Sequence, residues 1–365
     1  MQNKRLESLD AFRGFDMMFI VGLSSIIVAV CNLFPGGADC VIARQMDHAQ
    51  WNGLTFMDTI FPTFLFISGI SFPFSYAKSL NSGLNKKLIY LKNLKRATLL
   101  FIFGLLYNGL LNHFDLSTMR FYSVLGRIGF AWFFASVLYM NCPRKVREII
   151  CGGILVAYFC ILKFIVAPDA PAGADTLSLE GNIAGWIDRK LNIGSMYLGI
   201  FDPEGLLGLL PATVTAMLGM LTGEHVRTSN GRSKCLPMIL TAAGMLAAGL
   251  VWSIWFPINK NLWTSSFTLV VGAYSLTMFT LFYWIIDVKG HKKWILPFKV
   301  IGMNSITVYL ATAFVDFGFT TRQILGGTMA LAGAAWGELI YSLGYFALIL
   351  GSMYFLYKKK VFLKV

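Results

Sequence analysis

The chain has 365 residues, of which 56% are apolar and only 13% are charged, with a net charge of +13. Charged residues make up about a quarter of a typical soluble domain, so this composition and a mean hydropathy of +0.64 exclude an ordinary soluble fold. The positive charge lies in short loops between apolar runs, a pattern typical of membrane topology signals and not of a nucleic-acid-binding surface. The sequence therefore predicts an all-α, polytopic integral membrane protein.

Apolar runs long enough to cross the hydrocarbon core recur along the whole chain. We predict about ten transmembrane helices, at 12–34, 56–76, 94–111, 121–140, 149–166, 205–221, 236–255, 262–286, 295–315 and 339–357. The stretch 318–337 is predicted as a loop or an interfacial segment. The whole chain, 1–365, is interpreted as a single transmembrane domain.

The distribution of basic residues predicts the orientation of these helices. One set of loops and termini holds most of the Lys and Arg residues, at 4–5, 78–96, 144–147, 227–234, 289–293 and 358–364. The opposite loops hold only Arg44, Arg120, Arg189, Lys190, Lys260 and Arg322. Basic loops stay in the cytoplasm, so both termini are predicted to be cytoplasmic. The long loop at about 168–204, with a short amphipathic helix near 183–191, is then extracytoplasmic, and its length favours a lid or binding element.

The stretch 47–62, DHAQWNGLTFMDTIFP, is the strongest candidate for chemistry. It places His48 beside Trp51 and Asn52, with Asp58 at the start of the second apolar run. A neutral histidine can take and return a proton near pH 7, and a carboxylate can set its tautomer. The alternative is a loop histidine satisfied by solvent. We predict His48 and Asp58 as catalytic residues on the extracytoplasmic side.

Several charges lie at predicted membrane depth, where each costs roughly 2.5–3.5 kcal/mol on insertion scales. Asp10, Arg13 and Asp16 follow one another at helical spacing on the first span, either as a structural ion cluster or as a functional group. Arg127 lies well inside the fourth predicted span and could neutralise a carboxylate such as Asp58 or hold a phosphate.

Other polar residues are weaker candidates. Asn304 in the ninth predicted span is either interhelical glue or a group that orients a carbonyl. Asn259, Lys260 and Asn261 form a polar loop on the predicted side of His48. The four histidines, His48, His113, His225 and His291, show no metal-ligand spacing, so no metal site is expected.

A set of segments in a fixed order carries a family resemblance. They are SLDAFRG (8–14), HAQWNGLT (48–55), DTIFP (58–62), FLFISG (64–69), LGRIG (125–129), DPEGLL (202–207), INKNLW (258–263) and GMNSI (302–306). Together they resemble the heparan-α-glucosaminide N-acetyltransferase family of transmembrane acyltransferases, in a short bacterial-type form. In that resemblance His48 matches the catalytic histidine.

The resemblance implies an enzyme that takes acetyl from cytoplasmic acetyl-CoA and delivers it to an extracytoplasmic amino sugar of the glucosamine or N-acetylglucosamine type. His48 would act as a general base or as a transient acyl carrier; both routes are open. Residue type and position suggest Arg13, Arg96 and Arg127 as CoA-binding residues. The predicted substrate-binding residues are Trp51, Asn52, Asp202, Glu204, Asn259, Lys260, Asn261 and Asn304.

The expected partners are the amino-sugar acceptor, CoA and the lipid bilayer, with a homodimer as an open alternative and no nucleic acid. The expected location is the bacterial inner (cytoplasmic) membrane. The rival hypothesis is a transporter of amino sugars or other small metabolites, with His48 and Asp58 as a proton-coupled pair.

Overall fold

A computed structural model of the chain describes residues 6–111, 118–191, 193–228 and 234–363. These residues are mostly helical, and their strand-like pairings are two isolated bridges, Arg120 with Gly194 and Val166 with Asn182. The predicted all-α fold is therefore confirmed. His113 and the basic residues at 4–5, 229–233 and 364 that contributed to the predictions lie outside the described residues.

The helices follow in chain order. They are α1 (Glu7–Met18), α2 (Ser24–Cys31), α3 (Val41–Gln45), α4 (Phe56–Asn81), α5 (Lys86–Tyr107), α6 (Val124–Asn141), α7 (Arg144–Phe164), α8 (Ile183–Leu191), α9 (Leu209–Thr228), α10 (Cys235–Trp252), α11 (Ser265–Tyr283), α12 (Leu296–Met303), α13 (Ser305–Phe314), α14 (Phe317–Ala332) and α15 (Ala334–Lys358). Segments of π-helix cover Phe19–Leu23 and Trp284–Val288, and a 3₁₀ turn covers Gly37–Asp39. The predicted loop helix at 183–191 is confirmed as α8, and most of 318–337 is helical, as α14.

Within the described residues, six helical stretches are long and apolar enough to cross a membrane. They are Glu7–Cys31, Phe56–Asn81, Val124–Asn141, Cys235–Trp252, Ser265–Val288 and Ala334–Lys358. The other predicted spans overlap α5, α7, α9 and the α12–α13 pair. Ten crossings and cytoplasmic termini therefore stay predictions.

The chain forms two compact units. Unit 1 contains Met1–Gln50, Leu54–Ile60 and Met278–Lys364, and unit 2 contains Trp51–Gly53 and Phe61–Thr277. The interpretation of 1–365 as one domain stays a prediction.

In unit 1, α1 and α12 pack closely where each carries a glycine. A Cβ atom on Gly14 would lie 1.7 Å from the carbonyl oxygen of Phe298, and one on Gly302 would lie 2.0 Å from that of Asp10. The π-helical segment after α1 contains Gly22 with φ of 139°, a conformation that glycine adopts without steric cost. Unit 1 thus combines a tight helix crossing with an irregular first span.

In unit 2, α4 and α9 pack in the same way. A Cβ atom on Gly69 would lie 2.2 Å from the carbonyl oxygen of Ala216, and one on Gly219 would lie 2.0 Å from that of Phe66. The two backbones can approach so closely because neither glycine has a side chain. This contact fixes the middle of α4.

Candidate active site

The predicted pair His48 and Asp58 is formed within unit 1. His48 Nδ1 lies 2.8 Å from Asp58 Oδ1. The Asp58 side chain is 1% exposed, whereas that of His48 is 53% exposed. A buried carboxylate therefore holds one nitrogen of an accessible imidazole ring.

Local backbone chemistry places the carboxylate. Thr55 precedes α4, and its backbone N–H and Oγ1 donate to Asp58 Oδ2 at 3.1 and 3.0 Å. A hydrogen bond from a Thr N–H to an acidic side chain three residues later is one of the two bonds of a capping box. The backbone N–H of Ala49 also donates to Asp58 Oδ2, at 3.2 Å. The start of the helix and the preceding loop thus orient Asp58 together.

These contacts determine the tautomer of His48. The backbone N–H groups of Thr55 and Ala49 can only donate to Asp58 Oδ2, which favours the ionised, acceptor-only form of the carboxylate. Nδ1 of His48 must then carry the hydrogen that it shares with Asp58 Oδ1. In the neutral ring the lone pair consequently lies on Nε2, the atom that can accept a proton or attack an acyl group.

A second group of predicted residues lies in unit 2. Asn259 is fully buried; its Nδ2 donates to Asn52 Oδ1 at 3.0 Å, and its Oδ1 accepts from Leu262 N at 2.8 Å. Trp51 Nε1 donates to the carbonyl of Leu177 at 2.9 Å, which ties the residues after His48 to the 168–204 loop. The backbone near Asn259 is tied as well, because Gly53 N donates to the carbonyl oxygen at position 258, at 2.8 Å.

The predicted substrate-binding carboxylates Asp202 and Glu204 both contact Arg120. Arg120 Nε and Nη2 donate to the two oxygens of Asp202 at 2.7 Å each, and Nη2 also contacts Glu204. Burial lowers the pKa of Arg120, but hydrogen bonds and charge interactions with the two carboxylates outweigh it, so the pKa is raised overall. The guanidinium also lies over the ring of Tyr197, 4.8 Å from its centroid. This ion cluster closes the 197–204 turn.

Arg127 lies near a carboxylate that sequence reasoning did not select, Asp188 of α8. Arg127 Nη2 donates to the carbonyl of Gly205 at 2.9 Å, and Asp188 Oδ1 accepts from Tyr122 Oη and from Leu206 N at 3.0 and 3.1 Å. Burial raises the pKa of Asp188 to about 6, although the Leu206 and Tyr122 hydrogen bonds lower it. Within the described part of the chain, Arg127 Nε and Asp188 Oδ2 are buried without a hydrogen-bond partner.

The remaining predicted residues are distributed over both units. In unit 1, Arg13 Nη1 lies 3.7 Å from Asp10 Oδ1. Asn304 is buried at the junction of α12 and α13. In unit 2, the Arg96 guanidinium lies 4.2 Å from the ring centroid of Trp132.

The polar loop after α10 also belongs to unit 2. Asn261 lines a small cavity with Arg127 and Asp188. Lys260, next to it in the chain, is partly buried. Among the described residues, no cluster of His, Cys, Asp or Glu could hold a metal ion.

Comparison with known proteins gives relatives of one kind. No family model matches the chain. It is 26% identical to the human (Homo sapiens) heparan-alpha-glucosaminide N-acetyltransferase over 417 aligned residues, and 27% identical to the mouse (Mus musculus) protein over 418. Each alignment covers 99% of this chain. The chain is homologous to these N-acetyltransferases. It spans 60% of the length of each relative.

The homology agrees with the resemblance seen in the sequence, but two features of the unit 2 site were not predicted. Asp188 lies in a long loop with no motif around it, and only the amphipathic pattern of 183–191 marked its helix. Arg120 was assigned to topology alone, because nothing in the sequence pairs it with Asp202, 82 residues away.

Proposed function

We propose that the chain is a membrane acetyltransferase that transfers acetyl from acetyl-CoA to an amino sugar of the glucosamine or N-acetylglucosamine type. The proposal is supported by homology over nearly the whole chain to proteins named heparan-alpha-glucosaminide N-acetyltransferase. The observation that carries it is the 2.8 Å contact between His48 Nδ1 and the buried carboxylate of Asp58.

In the proposed reaction His48 Nε2 receives the proton that the acceptor loses. Acetyl-CoA supplies the acyl group as a thioester. The acceptor nitrogen or oxygen forms a bond to the acetyl carbon, the carbon–sulfur bond breaks, and the sulfur leaves as a thiolate that is then protonated. Asp58 remains ionised and stabilises the imidazolium while His48 holds the proton. A general base of this kind contributes about 10²–10⁴-fold in rate.

A second route uses the same pair. His48 Nε2 itself attacks the acetyl carbon, the carbon–sulfur bond breaks, and CoA leaves as a thiolate. The acceptor nitrogen or oxygen then attacks the acetyl carbon, the carbon–Nε2 bond breaks, and the proton that the acceptor loses passes to Nε2 and finally to the thiolate. Asp58 again fixes the ring through Nδ1. Only the second route leaves acetyl bound to the protein when the acceptor is withheld. A single-turnover experiment with radiolabelled donor measures this protein-bound acetyl.

The other residues have proposed supporting roles. The fully buried Asn259 orders the polar loop that carries Lys260 and Asn261, whose side chains are suited to contact sugar hydroxyls. Asp202 and Glu204 are proposed to contribute to acceptor binding through the 197–204 turn that they order with Arg120.

For the donor, Arg13, Arg96 and Arg127 are the proposed partners of the CoA phosphates. Arg127 is the least suited of the three, because it is only 4% exposed. We propose cytoplasmic termini, with His48 on the extracytoplasmic side of a bacterial inner membrane, from the bias of Lys and Arg residues between loops.

The direct test compares His48→Ala with a matched histidine variant, His291→Ala, in an exposed position outside the site. Both proteins are purified in detergent and incubated with radiolabelled acetyl-CoA and either glucosamine or N-acetylglucosamine. We expect His48→Ala to lose at least about 10²-fold in transfer rate and His291→Ala to match the parent. Undiminished transfer by a correctly folded His48→Ala protein contradicts the proposal.

A transporter is the second candidate, and specific observations in unit 1 favour it. The first span is interrupted by a π-helical segment, α12 and α13 meet at the buried Asn304, and Asp16 is fully buried in α1. Interrupted helices and buried carboxylates are frequent at transporter ion sites. Proteoliposomes loaded with acetyl-CoA separate the two: acetylated sugar outside with CoA retained inside indicates the enzyme, whereas unchanged sugar crossing the bilayer indicates the transporter.

A further inference from the structure

Unit 2 contains a cavity that the proposed reaction does not use. It has a volume of about 330 Å³ and lies among α4, α7, α9, α10 and α11. Its inner wall is formed by apolar side chains such as Phe66, Leu218 and Met245, and its mouth by Arg144 and Glu148 of α7. We call this cavity the α10 slot.

The slot exists because α10 packs on the rest of the unit along one narrow stripe. The buried residues of α10 are Met238, Ala242 and Gly249. Near Gly249 the helix is in close contact with α11, since a Cβ atom there would lie 2.7 Å from Val270 Cγ2. Towards its first residues α10 instead lines the slot, through Pro237, Met238 and Thr241. The cavity is thus a wedge between helices.

The depth of the slot corresponds to one leaflet. Along α9 it extends from His225, near the end of the helix, to Leu218, which is roughly 10 Å at the α-helical rise. Half of a hydrocarbon core is roughly 15 Å. The slot therefore opens at the membrane surface and ends before the midplane, the region that lipid acyl chains occupy.

The mouth carries both signs of charge. Arg144 Nε lies 2.9 Å from Glu148 Oε1, and the side chains are 52% and 48% exposed, so each keeps surface for a further partner. A second ion pair joins α7 to α9, with Arg147 Nη1 3.2 Å from Glu224 Oε2. The Glu148 carboxylate at the mouth disfavours a polyanion such as CoA. A headgroup with one phosphate and one ammonium instead matches both charges at the mouth, Arg144 and Glu148.

We propose that the α10 slot binds a phospholipid with a primary-amine headgroup, of the phosphatidylethanolamine type. One acyl chain lies along the apolar wall, the phosphate accepts from Arg144, and the ammonium donates to Glu148. By the positive-inside rule this is a lipid of the cytoplasmic leaflet. The site is independent of the acetyl transfer proposed above.

The test is native mass spectrometry of the full chain in detergent, with phosphatidylethanolamine, phosphatidylglycerol or CoA added at equal concentration. The parent protein is expected to retain one phosphatidylethanolamine in preference to phosphatidylglycerol by about tenfold, the size of one charge-assisted hydrogen bond. Glu148→Gln, at a half-exposed position, is expected to remove that preference. Met245→Trp fills the slot and is expected to abolish retention, whereas Leu246→Trp, on the exposed face of α10, is the matched control.

Three results overturn the proposal. Equal retention of the two lipids by the parent removes the headgroup argument. Unchanged retention by a folded Met245→Trp protein places the lipid elsewhere. If CoA displaces the lipid from the parent and equally from Glu148→Gln, the slot binds the acetyl donor instead.

Discussion

Replacing Asp58 by Asn tests the electrostatic reasoning at the site with the smallest change of shape. In the parent, Asp58 Oδ2 accepts from Thr55 and Ala49, and Oδ1 accepts from His48. An Asn side chain keeps one acceptor oxygen, and the three donors at the Oδ2 position favour placing it there. The Asn amide N–H₂ then faces His48 Nδ1, which must become an acceptor and leave the hydrogen on Nε2.

The expected loss follows from that tautomer. With a hydrogen on Nε2, His48 can neither accept the acceptor's proton nor attack the acetyl carbon. The analogous Asp→Asn change in a serine-protease triad costs on the order of 10⁴-fold, and general bases contribute about 10²–10⁴-fold. We expect a loss of about 10²–10⁴-fold in the acetyl-transfer rate, which corresponds to about 3–5 kcal/mol in the barrier.

The assay measures initial rates of radiolabelled acetyl transfer at saturating donor for the parent, Asp58→Asn, His48→Ala and the double variant. Asp39→Asn, at an exposed position of unit 1, is the matched control and is expected to retain parental activity. Because the two residues act as one unit, the double variant should be little worse than His48→Ala alone. A melting temperature close to that of the parent shows that Asp58→Asn is folded. Activity within threefold of the parent, or losses that simply add, would refute this role of Asp58.

Three further predictions concern unit 2. Gly205→Ala places a Cβ atom 1.8 Å from Asp188 Oδ2 and should cost about 1–3 kcal/mol of stability, measured as a lower melting temperature. The control Gly152→Ala, whose Cβ atom would meet nothing within 4 Å, should not lower the melting temperature. Equal melting temperatures for the two variants would contradict this prediction. The pKa of Asp188, near 6, lies above its value in the unfolded chain, so the folded state binds the additional proton. Stability should therefore rise as pH falls from 7 towards 4. Melting temperatures measured across this pH range should show the rise in the parent and a flatter dependence in Asp188→Asn. Asn259→Asp keeps the acceptor for the backbone but loses the donor to Asn52, and it should raise KM for the sugar more than it lowers kcat; an unchanged KM would separate this loop from acceptor binding.

Much of the helical architecture was predictable, because apolar runs of membrane length leave the backbone few alternatives to helix. The pairing of His48 with Asp58 was also accessible, since both lie in one short segment and their residue types suit proton transfer. Helix irregularities were not accessible in the same way. Gly22 and Asn304 interrupt apolar runs that read as continuous spans, and the interruptions depend on packing partners far away in the chain.

The polar network of unit 2 was predictable only in part. Asp202 and Glu204 stood out as acidic residues in a long loop, but their partner Arg120 lies across a large sequence separation. Asp188 was missed for the same reason, because its environment comes from Tyr122 and Leu206. Burial and long-range pairing give these carboxylates their character, and neither is encoded in local spacing.

The compactness of the His48–Asp58 motif has a consequence for biogenesis. Ala49 and Thr55 donate to Asp58, and His48 contacts it, so these contacts lie within one short segment, 48–58. At about 5–20 residues per second, a ribosome completes such a segment in roughly a second, long before it has synthesised α12 or α13. The contacts of Ala49, Thr55 and His48 with Asp58 therefore join residues that leave the ribosome together, as α4 begins.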